Sequence, residues 1–396
     1  MSRKSRKHVG LIGLGIIGSR AAAGLRAAGY QTYVWNRTPR ATPNFLASPA
    51  EVAQVCEIIQ IFVADAQALF DVIQAFGDTL TADHVIICSA TVGPEATLEA
   101  AKLVGDKGAR FLDAPFTGSK GAAEKRELVY YIGGDEATFL RAKPVLEATS
   151  KAIIRIGAIG QAAVIKVVTN MIAAVSIQTL AEALAIVRKS GLKPQALEAA
   201  LEHNACRSGT MELKLPKMLT GDYDPHFSLK HMFKDVQLGI HMANALDVEI
   251  PATTVSAGVM YGALNHGWGD LDFSAIFKVY EPLLAKMPPV IAEAAAPSEE
   301  KLPLPQQPHG ESSAGRKGDA SPGNANSPAR ASTASGEDDG LLEVVRAVPK
   351  DAKPTGEPTS DAATPSSEGG SSGVAPAEAG GNPLNRLRRF FSSDQK

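Results

Sequence analysis

The sequence predicts an α/β fold: an N-terminal doubly wound parallel sheet, a long interdomain helix, a C-terminal all-α domain and a disordered tail. Three observations carry that expectation. Up to about residue 160, short β-branched runs alternate with Ala-rich helical segments, the order in which βαβ units are strung along a chain. After Gly160 strand-like runs become rare, and a helical period continues to about Glu293. From Ala294 onward Pro, Ser, Gly and Ala dominate, and so little apolar surface cannot offset the entropy lost on ordering. A chain of 396 residues exceeds one ordinary domain. Its segments are read as a basic extension (1–7), a sheet domain (8–160), a long helix with an all-α substrate and oligomerisation domain (161–293) and the tail (294–396).

Within the sheet domain, strands are expected at 9–12, 32–35, 58–62, 85–88, 110–113 and 153–156, where β-branched and aromatic residues cluster. Helices are expected between them at 17–28, 68–76, 95–107 and 136–146. From Gln161 to Lys189 the chain is rich in Ala, Ile and Val with no Pro or Gly. Gly191 and Pro194 follow, as a helix stop requires, and the helix would run roughly 40 Å at 1.5 Å per residue. About half of the 25 prolines fall in the tail, whose only aromatics are Phe390 and Phe391. Two apolar islands interrupt it, 341–348 and 384–391, the second with Arg386, Arg388 and Arg389. Each is a candidate to fold onto an unknown partner, and the second to touch a membrane surface.

Composition removes several function classes. Forty Lys and Arg against 42 Asp and Glu give a net charge of −2, which disfavours general binding of nucleic acid. Gly10, Gly13, Gly15 and Gly18 break the apolar run behind the basic extension. No stretch there reaches the ~20 residues of a membrane span, so stable insertion and secretion are not expected and the cytoplasm is. Cys56, Cys88 and Cys206 lack metal-ligand spacing and read as buried thiols in a reducing compartment. The eight histidines form no H-x-x-x-H or Cys–His cluster, so no metal is expected. No Gly-x-Ser-x-Gly nucleophile elbow occurs.

The first chemical signal is Gly13-Leu14-Gly15-Ile16-Ile17-Gly18, a G-x-G-x-x-G run between the first strand and first helix. In that context it marks a Rossmann-type dinucleotide site. The first glycine makes the turn, the second admits a pyrophosphate and the third lets helix and strand pack closely. After the second strand an NAD enzyme usually places Asp or Glu; here the chain reads Asn36-Arg37-Thr38. An arginine fork suits a 2′-phosphate, so NADP (NADPH) is the expected cofactor. Val63 and Ala64, just past the third strand, are assigned to the same site.

Four motifs in order then resemble the β-hydroxyacid dehydrogenase family, the group containing 3-hydroxyisobutyrate dehydrogenase. They are the glycine run; Asp113-Ala-Pro-Phe-Thr-Gly-Ser119; Lys166-Val-Val-Thr-Asn170; and Lys234-Asp235. The runs from Phe227 to Asp235 and from Gly269 to Ser274 are similar to its glyoxylate/succinic semialdehyde reductase branch. The resemblance spans about residues 8–285 and implies hydride transfer to a small aldehyde- or keto-acid. It makes Lys166 the proton donor, Thr117, Gly118 and Ser119 the clamp for the substrate carboxylate, and Lys230 a further substrate contact. It places Thr91 near the nicotinamide and Lys234 on the cofactor, and implies a homodimer or homotetramer. Physical chemistry agrees on the lysine, since a partly desolvated ammonium near other positive charge gives up its proton towards neutral pH. Asn170 is one helical turn from Lys166, so the two share a face and Asn170 can hold the lysine or the substrate.

This chain departs from the family pattern at two places. Lys125-Arg126-Glu127-Leu128 stands where relatives have a turn glycine, and Phe116-Thr117 replaces the commoner Val-Ser. The segment 204–211, which faces the pocket in relatives, brings Arg207, either a second carboxylate contact or a solvated side chain. Sister enzymes acting on 3-hydroxyisobutyrate or tartronate semialdehyde are the near alternative. A non-catalytic NADP-binding scaffold, its tail recruiting partners, is the alternative of another class; together Lys166, Asn170, Thr117 and Ser119 weigh against it.

Overall fold

The structure, a computed structural model, describes residues 7–284 and the backbone of the short strand Val344–Arg346. The first half runs β1 (His8–Ile12), α1 (Ile16–Ala27), β2 (Gln31–Trp35), α2 (Pro49–Val55), β3 (Ile58–Ile61), α3 (Ala66–Ala75), β4 (Val85–Cys88), α4 (Pro94–Asp106) and β5 (Arg110–Asp113). It continues with β6 (Phe116–Thr117), α5 (Lys120–Glu124), β7 (Leu128–Gly133), α6 (Glu136–Glu147) and β8 (Ser150–Gly157). The second half is helical: α7 (Gln161–Lys189), α8 (Gln195–Glu202), α9 (Gly209–Thr220), α10 (Leu229–Ala245), α11 (Pro251–Asn265), a 3₁₀ turn at Phe273–Val279 and α12 (Glu281–Leu284). Val344–Arg346 is β9.

The sheet order is β2-β1-β3-β4-β5-β7-β8-β9, with β6 paired to β7. From β2 to β5 all pairs are parallel. β4 is buried along its whole length, which is why it reads as an unbroken apolar run rather than an alternating one. One face packs Leu25 of α1 and Phe139 and Val145 of α6; the other packs Val52, Leu69, Ile73 and Val104 from α2, α3 and α4.

The expected doubly wound parallel sheet is present, with an antiparallel addition beyond β5. β7 runs antiparallel to β5 and β6, then pairs parallel with β8. The turn into β7 explains how an arginine replaces the turn glycine: Arg126 takes a positive φ of 59°. Its stem lies against Gly24 of α1, where an added Cβ would come within 3.1 Å of the Arg126 Cγ. The packing of that stem against a residue without a side chain offsets the strain of a left-handed arginine.

α7 is long and apolar enough to cross a membrane by length and composition alone. Here Ala174, Ile177, Ala181 and Leu184 instead form one core with Leu215 of α9, Val236 of α10, Met260 of α11 and Phe277 of the 3₁₀ turn. The expected disorder of the tail lies outside the described residues except at one point. Within the island 341–348, Val344–Arg346 adds antiparallel to the edge of β8, so these residues are strand. The extension 1–6 and the island 384–391 also lie outside the described residues. One thiol expectation is corrected: Cys56 and Cys88 are buried and pushed up to about 12 by desolvation, but Cys206 is exposed.

Candidate active site

The chain reverses its direction of growth between β1 and β3, because β2 pairs on one side of β1 and β3 on the other. Ligands of open α/β sheets lie in the crevice at the carboxyl ends of such strands. A cavity of about 220 Å³ sits there, walled by Gly15, Ile16, Phe62, Val63 and Thr91 from the sheet half and by Phe227, His231, Lys234 and Asp235 from the helical half.

The glycine run is built as a dinucleotide site requires. Gly13 has φ +94° and a Cβ there would lie 2.0 Å from the Phe62 carbonyl oxygen. A Cβ on Gly18 would lie 1.9 Å from the Gly13 carbonyl oxygen, so helix and strand meet only because Gly18 has none. A Cβ on Gly15 would meet nothing within 4 Å; its side faces the cleft, where a pyrophosphate would need that space. Gly15 caps α1 without a side-chain bond, leaving the helix N–H groups for an anion. Ile17 and Ala64 also line the cleft, and Leu14 completes the turn.

At the end of β2 the three expected residues divide. Asn36 Oδ1 accepts from the Leu14 N–H at 2.8 Å, and its Nδ2 donates to the Thr38 carbonyl at 2.7 Å. Its side chain thus ties β2 to the glycine turn. Arg37 and Thr38 are exposed beyond the strand, and no carboxylate stands between Gln31 and Thr38.

The lysine lies at the head of α7, fixed from a distance. Gly160 caps this helix with no side chain to offer. Asp113, at the end of β5, takes over: its Oδ2 accepts from Gly160 N at 2.9 Å and Ala163 N at 3.1 Å. Burial pushes Asp113 up to about 7, although those amides pull the other way. Lys166 is 8% exposed, and its Nζ donates to Asn170 Oδ1 at 3.0 Å. Asn170 Nδ2 donates to Asp235 Oδ2 at 2.6 Å, and Asp235 Oδ1 lies 2.7 Å from Lys234 Nζ. Lys234 donates across the cleft to the Thr91 carbonyl at 2.5 Å. The Asp235 carboxylate turns the Asn170 amide so that its oxygen faces the ammonium. Desolvation lowers Lys166 to about 8; Asp235 opposes the shift and Lys234 adds to it. Lys166 lies just behind the cleft wall, 6.0 Å from the ring of Phe116, which is on it.

Thr117 closes β6, Gly118 has φ +128° and Ser119 caps α5 without spending its hydroxyl on the helix. Lys230 lies elsewhere: it is half exposed and pairs with Asp270 at 2.5 Å, outside the cleft wall. Arg207 is likewise turned to an ion pair with Glu212. Thr91 does not cap α4, whose cap is Gly93, and it remains on the cleft wall. Sequence reasoning passed over Phe62, Ser89, His226, Phe227, Ser228 and His231, all on that wall. Asp235, known from the sequence only as part of the Lys234-Asp235 motif, accepts from the Asn170 amide. The signal for His226, Phe227, Ser228 and His231 was their place just before Lys234-Asp235, and for Phe62 and Ser89 their place directly after β3 and β4.

Comparison with known proteins follows this geometry. Residues 8–158 match the family model of the NAD binding domain of 6-phosphogluconate dehydrogenase, and residues 160–280 that of NAD-binding of NADP-dependent 3-hydroxyisobutyrate dehydrogenase. The chain is 31% identical over 282 residues to glyoxylate/succinic semialdehyde reductase 2 of Arabidopsis thaliana, covering 68% of this chain and 78% of that protein. It is 31% identical over 289 residues to 2-(hydroxymethyl)glutarate dehydrogenase of Eubacterium barkeri, covering 69% and 95%. The crystal structure of 3-hydroxyisobutyrate dehydrogenase from Salmonella typhimurium superposes with a TM-score of 0.64 at 29% identity, covering 69% of this chain and 99% of that one.

Proposed function

The chain belongs to the β-hydroxyacid dehydrogenase family of NAD(P)-dependent oxidoreductases, and on that premise we propose that it reduces a small aldehyde- or keto-acid of the glyoxylate or succinic semialdehyde class, with NADPH as reductant and Lys166 as proton donor. The observation that carries the reading is the hydrogen-bonded chain Lys166–Asn170–Asp235, which runs from behind the cleft wall to a residue on it. It holds one ammonium, lowered to about 8, with its orientation fixed. A donor of that pKa is charged at neutral pH yet releases its proton at modest cost, the condition for general acid catalysis.

NADPH, when bound, supplies the hydride. The protein's part is to bind, orient and protonate. The Gly13–Gly18 turn and the N-terminus of α1 would hold the pyrophosphate, and Arg37 with Thr38 the 2′-phosphate, while Asn36 shapes the turn. Val63, Ala64 and Thr91 form the wall on the sheet side, with Lys234 joining the halves above them. The backbone of Thr117, Gly118 and Ser119, with two hydroxyls, offers donors to a carboxylate. Lys230, committed to Asp270, is left out of this set. Lys166 passes its proton to the carbonyl oxygen past Phe116, and Asn170 keeps the ammonium aimed.

The test follows NADPH consumption with succinic semialdehyde and glyoxylate, with NADH in parallel. Lys166→Ala is expected to lower kcat by about 10²–10⁴-fold with NADPH binding retained. Turnover that prefers 3-hydroxyisobutyrate or its semialdehyde would favour the sister reading suggested by the Salmonella relative. Tight NADPH binding without turnover on any of these acids would overturn the reading in favour of a cofactor-binding scaffold.

A further inference from the structure

We propose that His231 is a specificity-determining residue whose imidazole donates a hydrogen bond to the substrate's carboxylate from the helical wall of the cleft. The inference rests on the reductase reading above and names the group that recognises the acid. None of Thr117, Gly118, Ser119 and Lys230, the contacts expected for that carboxylate, lines the cavity. An acid seated there brings two acceptors: its carbonyl oxygen, which Lys166 serves, and its carboxylate, which needs a donor on the wall. Phe227, Ser228, Lys234 and Asp235 stand three or four residues to either side of His231, so the five share one face of α10 and its entry. All five line the cavity. Lys230, one residue off that face, pairs with Asp270 instead.

The ring is held with one nitrogen free. His231 Nδ1 lies 2.8 Å from Ser228 Oγ, and the ring stacks on Phe227 at 6.3 Å between centroids and 19° between planes. Ser228 is buried and caps α10 without a side-chain bond to its backbone, so His231 is the one partner of its hydroxyl among the described residues. A buried hydroxyl proton needs an acceptor. Nδ1 supplies it, which puts the ring's own proton on Nε2. Nε2 makes no hydrogen bond among the described residues and is not sealed from solvent. Desolvation, then Lys230 and Lys234, hold the imidazole below its usual value, with Asp235 and Asp270 opposing. At neutral pH the ring is therefore uncharged and carries this single donor.

Position separates this contact from those of the cofactor. The glycine turn and the N-terminus of α1 stand on the sheet wall of the cleft, and His231 stands on the helical wall. Asp235 lies four residues on, one helical turn or about 6 Å along the axis. It accepts from the Asn170 amide that aims Lys166. The imidazole thus stands one turn from the residue that anchors the proton donor. A neutral N–H in a desolvated site gains most from a charged acceptor, and an aldehyde without a carboxylate offers none. The contact therefore favours acids over uncharged aldehydes.

The experiment is steady-state kinetics of the full-length enzyme with NADPH on two substrate pairs: succinic semialdehyde with butanal, and glyoxylate with acetaldehyde. Each pair is alike in carbon number and differs in the carboxylate. His231→Ala is expected to raise KM for the acids roughly tenfold to a hundredfold, the loss of one hydrogen bond to a charged group. Its kcat on the acids, and kcat/KM on the uncharged aldehydes, should change little. His231→Gln, which keeps an N–H donor, should recover part of the loss. An equal loss on acids and uncharged aldehydes, with a lowered melting temperature, would show a structural role and overturn the proposal. Unchanged KM for the acids would do the same, as would a loss confined to NADPH affinity, which would place the ring on the cofactor. Calorimetric binding of succinate in the presence of NADP reads the contact without turnover. Succinate binding weakened in His231→Ala would support the proposal even if wild-type enzyme failed to reduce these acids, an outcome that would count against the reductase reading alone. Succinate that binds both proteins equally, or neither, would overturn it.

Discussion

An ammonium taken out of water gives up its proton more readily, and Lys166 shows how far the surroundings can steer that loss. Desolvation lowers it to about 8, while Asp235, reached through Asn170, limits the fall. With Lys166 as the proposed donor, reduction requires its charged form. The rate of carbonyl reduction should therefore be flat below about pH 8 and decline above it, and oxidation of the hydroxy acid should rise through the same region. Profiles of kcat/KM against pH in both directions check this. At this scale much was legible beforehand. A single cation within an apolar helical run is conspicuous, and Asn170 one turn later identifies itself by spacing. Asp235 is 65 residues beyond Asn170, and no local pattern could show which of its oxygens would face the amide.

Elements are held by residues outside them, and two such ties can be tested. Asp113 caps α7 from the end of β5. Its carboxyl is raised in the fold from 3.8 to about 7. Folding therefore favours the protonated form: the contribution is fully present below about pH 4 and is lost as pH rises through 7. Asp113→Asn keeps an acceptor for both amides and removes the charge. It should flatten the dependence of stability on pH between 4 and 7, whereas Asp113→Ala should cost about 1–3 kcal/mol for the orphaned amides. Denaturant melts across that pH range distinguish them. The second tie is Lys214–Asp272, with side chains 5% and 0% exposed. Burial alone would push Asp272 up, but Lys214 and the donors of Ser274 hold it below the usual carboxylate range. Lys214→Met should destabilise by about 3–5 kcal/mol, read as a lowered denaturation midpoint, because it leaves a buried carboxylate without its cation. Six strands and the four longer helices of the sheet half were legible from period and β-branching, whereas the short α2 and α5 were not. β6 was not, since a two-residue strand carries no sequence signature; β7 was missed although Leu128-Val-Tyr-Tyr-Ile is a β-prone run, because the turn before it is made by Arg126 rather than glycine. Nor could the cap of α7 be read, because it arrives from a different element.

Across the whole molecule the division at Gly160 was visible as a change of period, while the way the halves meet was not. They share α7, the Lys234–Thr91 hydrogen bond and the Lys120–Asp224 pair. α7 and α11 also leave Ile172, Ile186 and Val255 more than 60% exposed, a face suited to the self-association expected of this family. The cleft itself has one wall from each half, and that arrangement has a calorimetric consequence. Without ligand, two units with separate hydrophobic cores should absorb heat in two overlapping transitions. A dinucleotide that contacts both walls would bind only when they are opposed, so NADPH should fuse the two into a single endotherm at higher temperature. A scan in which NADPH shifts only one of two peaks would mean that the cofactor is held by the sheet half alone.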